Sequence, residues 1–174
     1  MKKLTMLAAV TALMTSSVAY AASDYCCYVE AASHKYSETP ASIGAEVSQS
    51  MATLTFGGRV FPVMDLEGYI GSGMGDEAIE TEAGVQTYEV TSVVGLNLKV
   101  TFPIAESWNF YTKAGMYGMD SKVNGSSGDL EFNPMFTAGG ELNFFRKTYI
   151  GAGYSFYGSE TDASSFNVLI GTRF

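Results

Sequence analysis

The amino-acid sequence predicts an all-β fold, an eight-stranded antiparallel up-and-down β-barrel that crosses a membrane with its strands. Three observations carry this expectation. Polar and apolar residues alternate with a period of two from Tyr25 to Phe174, long polar connections alternate with tight turns, and glycines gather on the polar face of the strands. Nowhere do apolar residues hold the three-to-four spacing of an amphipathic helix for long. Past the N-terminal run, nothing approaches the roughly 20 continuous apolar residues of a spanning helix.

The first element is a leader. Met1, Lys2 and Lys3 precede an apolar run from Leu4 to Met14 and small residues ending Val18-Ala19-Tyr20-Ala21-Ala22, the parts of a secretory signal peptide. The small side chains of Ala19 and Ala21 place cleavage after Ala21, with Ala22 as the neighbouring choice, which divides the chain into a signal peptide, 1–21, and a barrel domain, 22–174. Without Lys2 and Lys3, eight basic residues face eighteen acidic ones, a net charge near −10 that argues against nucleic acid or heparin as a partner. At 13% aromatic and 16% charged, the composition is that of a folded chain rather than a disordered one. The two cysteines, Cys26 and Cys27, are adjacent and no lipobox precedes them. Neighbouring cysteines can join only through a strained ring, so they read as two small apolar residues on a strand.

Strands are expected near 25–36, 51–61, 64–73, 87–102, 108–121, 130–145, 149–157 and 163–174. The connections Ser37 to Ser50, Met74 to Gln86, Lys122 to Asp129 and Gly158 to Asp162 are polar and mostly long. Those at Pro62-Val63, 103–107 and 146–148 are short. Long loops at one end and short turns at the other mark an outer-membrane barrel, and an even strand number puts both chain ends on the short-turn side, the periplasm.

Facing follows from alternation, because a slip of one residue exchanges every side chain between faces. In the last strand Phe166, Val168, Ile170, Thr172 and Phe174 oppose Ser165, Asn167, Gly171 and Arg173. In the fourth, Val90, Val94, Leu96, Leu98, Val100 and Phe102 oppose Glu89, Thr91, Gly95, Asn97, Lys99 and Thr101. The sixth sets Phe132, Phe136, Ala138, Leu142 and Phe144 against Glu131, Asn133, Thr137, Gly139, Glu141 and Asn143. Gly57, Gly71, Gly95, Gly115, Gly139, Gly151, Gly153 and Gly171 share the polar face, which fits a narrow lumen better than a solvated exterior. Glu30, Arg59, Glu67, Lys99, Lys113, Glu141 and Arg173 also fall on that face, in its periplasmic half. Enclosed charges need partners, so this interleaved set is expected to form a lumen ion-pair cluster. Trp108, Phe102, Phe144 and Phe174 are expected outward at the periplasmic edge, as an interfacial girdle.

The aromatic-ended stretch from Phe166 to Phe174, and Lys99-Val100-Thr101-Phe102-Pro103 leading into Phe110-Tyr111-Thr112-Lys113-Ala114-Gly115, resemble the OmpA-like transmembrane domain and its small porin-family relatives such as OmpX and Ail. The resemblance covers the whole mature chain, with the C-terminal strand its specific part. It implies a Gram-negative outer-membrane location, with outer-membrane lipid and lipopolysaccharide as surroundings. It further implies that periplasmic chaperones and the barrel-assembly machinery are partners, the latter reading Phe166, Val168, Ile170 and Phe174 as an assembly signal. No peptidoglycan-binding domain follows Phe174, so the tethering role of full-length OmpA proteins is not expected.

The function expected is that of a barrel with a side-chain-filled lumen, structural or acting in surface contact through its outer loops, without cofactor, metal or catalysis. Three other readings remain open: a small pore, a lipid A-modifying barrel enzyme, and a soluble lipocalin-like barrel with its apolar face inward. Against the enzyme, the lone histidine, His34, lies near the outer end of the first strand beside Ser33 and Ser37 and lacks a deacylase His-x-Ser arrangement. The second loop carries Asp76, Glu77, Glu80 and Glu82 without the order of a calcium loop, and its Gly71-x-Gly73-x-Gly75 leads into no helix; both are loop signals.

Overall fold

The computed structural model describes residues 25–40, 43–81, 84–127, 130–145, 147–158 and 162–174. The signal peptide and its cleavage site lie outside the described residues, as do Glu82, Asp129 and Ser159. Among the described residues ten strands follow one another: β1 (Cys27–Glu38), β2 (Val47–Phe61), β3 (Met64–Gly73), β4 (Glu77–Thr81), β5 (Gly84–Pro103), β6 (Trp108–Val123), β7 (Ser126–Ser127), β8 (Glu131–Asn143), β9 (Thr148–Gly158) and β10 (Asp162–Arg173). Eight of them close an antiparallel barrel in the order β1, β2, β3, β5, β6, β8, β9, β10, with β10 back against β1. This is the expected architecture, with strand limits within a few residues of those read from the sequence.

The two short strands correct the expectation of polar loops at Met74 to Gln86 and Lys122 to Asp129. Both segments fold back as hairpins that lengthen the barrel outward, β4 on β5 and β7 on β6. The second turns at Asn124-Gly125, where φ is 51° and 79°. Positive φ at both turn residues gives the tight connection whose twist matches that of paired strands. Asn124 also ties the two hairpins together: its side-chain oxygen accepts from the Thr87 N–H, and its own N–H donates to the Thr87 carbonyl, both at 2.9 Å.

Facing is that of a membrane barrel. Leu54, Phe56, Leu96, Phe132, Val168 and Ile170 point out and are exposed, while Glu30, Glu67, Lys99 and Glu141 are sealed inside at 2% exposure or less. A soluble lipocalin-like barrel would need the reverse arrangement, so that alternative falls. The fourth predicted strand is in phase only from Val93 downward. A bulge between Val90 and Ser92 puts an extra residue in β5, so Val90 turns inward and is buried, while Glu89, expected in the lumen, is exposed.

The lumen is packed around four tyrosines. Tyr28 lies opposite Gly57 in the register, Tyr69 opposite Gly95, Tyr111 opposite Gly139 and Tyr149 opposite Gly171. Each ring lies across the bare backbone of its glycine, and a Cβ at any of the four positions would run into the ring; at Gly139 it would stand 2.5 Å from Tyr111 Cζ. These four inward glycines are therefore slots for rings.

Candidate functional site

The short-turn half of the lumen holds an ion network. Lys99, on β5, lies directly opposite Lys113, on β6. Such a like-charge pair is unfavourable by itself. It is tolerated because Glu30 from β1, Glu67 from β3 and Glu141 from β8 converge on the two amines. Lys113 Nζ stands 2.8 Å from Glu30 Oε1 and 3.1 Å from Glu67 Oε2. Lys99 Nζ bonds Glu141 Oε1, with Glu30 Oε2 at 3.5 Å and Glu67 Oε1 at 3.9 Å. Arg173 from β10 meets the other oxygen of Glu141 at 2.8 Å.

Tyrosines complete the network. Tyr28 donates to Glu67 Oε1 and Tyr149 to Glu30 Oε2, the latter at 3.1 Å. The Lys99 ammonium sits 5.0 Å from the ring centres of Tyr28 and Tyr111 and 5.4 Å from that of Tyr149, and the Arg173 guanidinium lies 4.2 Å above Tyr149. Cations held against aromatic faces gain attraction that water would screen. Arg59 meets Asp65 at 3.4 Å. Asp65 is an inward acid that the sequence reading passed over, although it lies two residues from Glu67 and so on the same face. With it, four acids and four bases balance.

Above the network the lumen changes character. A cavity of about 40 Å³ separates Glu30 and Lys113 from Met51, Tyr69, Met135 and Tyr157, and polar residues such as His34, Asn97 and Thr137 line its wall. Over it Tyr36, Tyr69, Tyr88, Tyr117 and Tyr157 pack with Val47, Met51, Val90, Val93 and Met135 into an apolar roof. Tyr157 makes edge contacts with Tyr36 and Tyr117, at centroid distances of 5.4 and 4.6 Å. Ile43, in the first outer loop, and Ile79, on β4, are buried in the same cluster. The Ile43 and Gly44 N–H groups donate to the Pro40 carbonyl, at 3.0 and 2.8 Å. Sequence reasoning missed the roof because the inward face was taken to be polar throughout; the tyrosines at alternate positions were the available signal.

His34 is not at the outer end. It faces the mid-lumen cavity, its Nε2 2.9 Å from Thr53 Oγ1, and the strand pleat turns its neighbour Ser33 to the opposite, exposed face. Among the described residues no three or more metal-ligating side chains form a group able to hold an ion. Phe166, Val168, Ile170 and Phe174 all point outward from β10 and the residue after it, each about half exposed. Trp108 and Phe144 share that outward aspect at the turn end, and Phe102 stacks on Phe110 at 6.4 Å.

No protein-family model matches the chain, and no curated protein matches it either. Solved structures do. The Neisserial surface protein A (NspA) superposes with a TM-score of 0.69 at 12% identity, covering 85% of this chain and 97% of that one. Ail, the attachment invasion locus protein of Yersinia pestis, crystallised with the heparin analogue sucrose octasulfate, gives 0.59 at 14% identity, covering 87% and 100%. The N-terminal β-barrel domain of Pseudomonas aeruginosa OprF gives 0.61 at 14% identity, covering 84% and 97%. At such identities the likeness is one of fold. The chain has the fold of the small eight-stranded outer-membrane β-barrels, the architecture that its resemblance to the OmpA-like domain implied.

Proposed function

We propose that the protein resides in a Gram-negative outer membrane as a non-conducting, non-catalytic barrel, serving as a structural component and as a platform for its outer loops. The observation that carries this reading is the double closure of the lumen. Among the described residues the ion network fills the short-turn half, the tyrosine roof fills the outer half, and the cavity of about 40 Å³ between them has room for only a few water molecules.

Catalysis finds no support at the one histidine, whose ring contacts a threonine inside a closed lumen. Contact with the surroundings is then left to the outer end, where Glu46, Asp76, Glu77 and Glu80 stand on the first two outer connections. This rim suits divalent cations shared with lipopolysaccharide phosphates and opposes polyanions, so the heparin analogue bound to Ail is not carried over. At the other end, the outward row of Phe166, Val168, Ile170 and Phe174 supports recognition by the barrel-assembly machinery, with periplasmic chaperones holding the chain before insertion.

Planar-bilayer recording tests the closure. Purified protein should show no large steady conductance under conditions where it fractionates with outer membranes and migrates differently on detergent gels before and after boiling. Regular channel openings would overturn the closed lumen and favour a small pore.

A further inference from the structure

Successive side chains on an extended strand point to opposite faces, so two neighbouring cysteines within β1 would hold their sulfurs far apart. Cys26 and Cys27 do the opposite. The chain bends at Cys26, one residue before β1 begins, and the two sulfurs approach to 2.7 Å, inside van der Waals contact. The backbone on either side is held. The Cys26 carbonyl accepts the Arg59 N–H at 2.8 Å, and Cys27 exchanges both of its backbone hydrogen bonds with Phe174, at 3.2 and 2.9 Å. Cys26 is exposed and Cys27 partly so, which leaves the pair open to a reagent in the surrounding water. The pair lies where the first strand meets the last, at the short-turn end of the barrel.

Two chemistries need two thiols together. A single thiophilic metal holding both at about 2.3 Å in a tetrahedral angle would set the sulfurs roughly 3.8 Å apart, more than an ångström wider than observed. A disulfide needs them closer, near 2.05 Å, the smaller displacement. The geometry points to a reversible vicinal disulfide between Cys26 and Cys27, formed by exchange with a disulfide-bearing thiol oxidant of the periplasm. One cysteine thiolate attacks the donor's disulfide, forming a mixed disulfide and releasing a donor thiol. The second thiolate then attacks the cysteine sulfur of that mixed disulfide, closes the ring and releases the donor's other thiol. Two S–H bonds are lost, one S–S bond is gained, and the donor carries away two electrons and two protons. Because adjacent Cα atoms stand only about 3.8 Å apart, below the usual span of a disulfide, the ring is strained and reopens easily; it is not a structural staple.

This inference rests on the outer-membrane reading, which puts the short-turn end in the periplasm. The test uses full-length protein from an outer-membrane fraction, acid-quenched and denatured with a maleimide but no reductant, then reduced and treated with a second, heavier maleimide. The ring predicts no label from the first reagent and two from the second, with the unreduced peptide spanning both cysteines about 2 Da lighter than its dithiol form. Half-opening should need at least tenfold less dithiothreitol than a buried structural disulfide in the same extract. Cys26→Ser should leave Cys27 fully reactive toward the first maleimide. Two first-reagent labels on the native chain, a covalent dimer on a non-reducing gel, or resistance to dithiothreitol equal to that of the reference would each overturn the proposal. Absence of the protein from outer membranes would instead overturn the location on which it rests.

Discussion

Lys99 is the side chain on which the lumen network turns, and replacing it with methionine isolates its charge. Methionine keeps the apolar stem and fills nearly the same volume, so the change removes the ammonium without opening a cavity. The ammonium bonds Glu141, is within ion-pair distance of Glu30 and Glu67, and faces three tyrosine rings, at 2% exposure. After its removal Glu30 and Glu67 keep Lys113, and Glu141 keeps Arg173. No carboxylate is left bare, but the enclosed set carries one negative charge too many. That places the cost near the lower end of the range for breaking a buried pair, about 3 kcal/mol. With a urea dependence of about 2 kcal/mol per molar for a domain of this size, the unfolding midpoint should fall by roughly 1.5 M. The assay is urea titration in phospholipid vesicles followed by fluorescence. Trp108 is the single tryptophan and faces outward, so its emission reports insertion. The double variant Lys99→Met/Glu141→Gln restores the balance of charge and should regain at least half of the loss. A midpoint shift below about 0.5 M for Lys99→Met, or a double variant that loses the sum of two single costs, would refute the reasoning.

Three further expectations test facing and packing. Leu96→Cys and Ile170→Cys, at 62% and 52% exposure, should react with a lipid-soluble probe and resist a water-soluble one, while Asn97→Cys, at 4%, should resist the lipid-soluble probe; reversal of Leu96 and Asn97 would put the register wrong by one. Leu96→Arg should cost roughly 2 to 4 kcal/mol and lower folding yield into bilayers, an effect absent if position 96 met water. Gly171→Ala forces a methyl group into the Tyr149 ring and should destabilise by about 1 to 3 kcal/mol. Gly58→Ala, where an added Cβ meets nothing within 4 Å, should leave the cold-detergent gel shift unchanged; equal effects would dismiss the ring-slot packing.

Strand positions and most facings were legible because alternation is a direct image of the pleat, and the enclosed charges followed once phase was known. The exceptions have physical causes. At Val90 nothing in the sequence marks the extra residue, since a valine suits lipid and roof alike and no glycine or proline flags the bulge. The Asn124-Gly125 turn was legible, as a dipeptide suited to positive φ between two runs of strand, but it lies in a stretch whose polarity reads as loop. Tyrosine hid the roof: it carries a hydroxyl and an apolar ring, so a binary division into polar and apolar faces cannot say that the lumen dries toward its outer end. The thiol pair was invisible because its convergence depends on a bend at Cys26, one residue before the first strand begins.

The four ring-on-glycine pairs all lie within hairpins that turn at the outer end, β1 with β2, β3 with β5, β6 with β8, and β9 with β10; none spans a boundary between one such hairpin and the next. Their tyrosines recur at positions 28, 69, 111 and 149, close to one hairpin length apart. The barrel is thus an assembly of four units, each carrying its own device for fixing register before it meets its neighbours. Chain connectivity at the short turns is correspondingly expected to be dispensable. New termini opened at Pro62-Val63 or between Pro103 and Trp108, with the old ones joined, would leave every unit whole, whereas a cut in any outer loop would sever a tyrosine from its glycine.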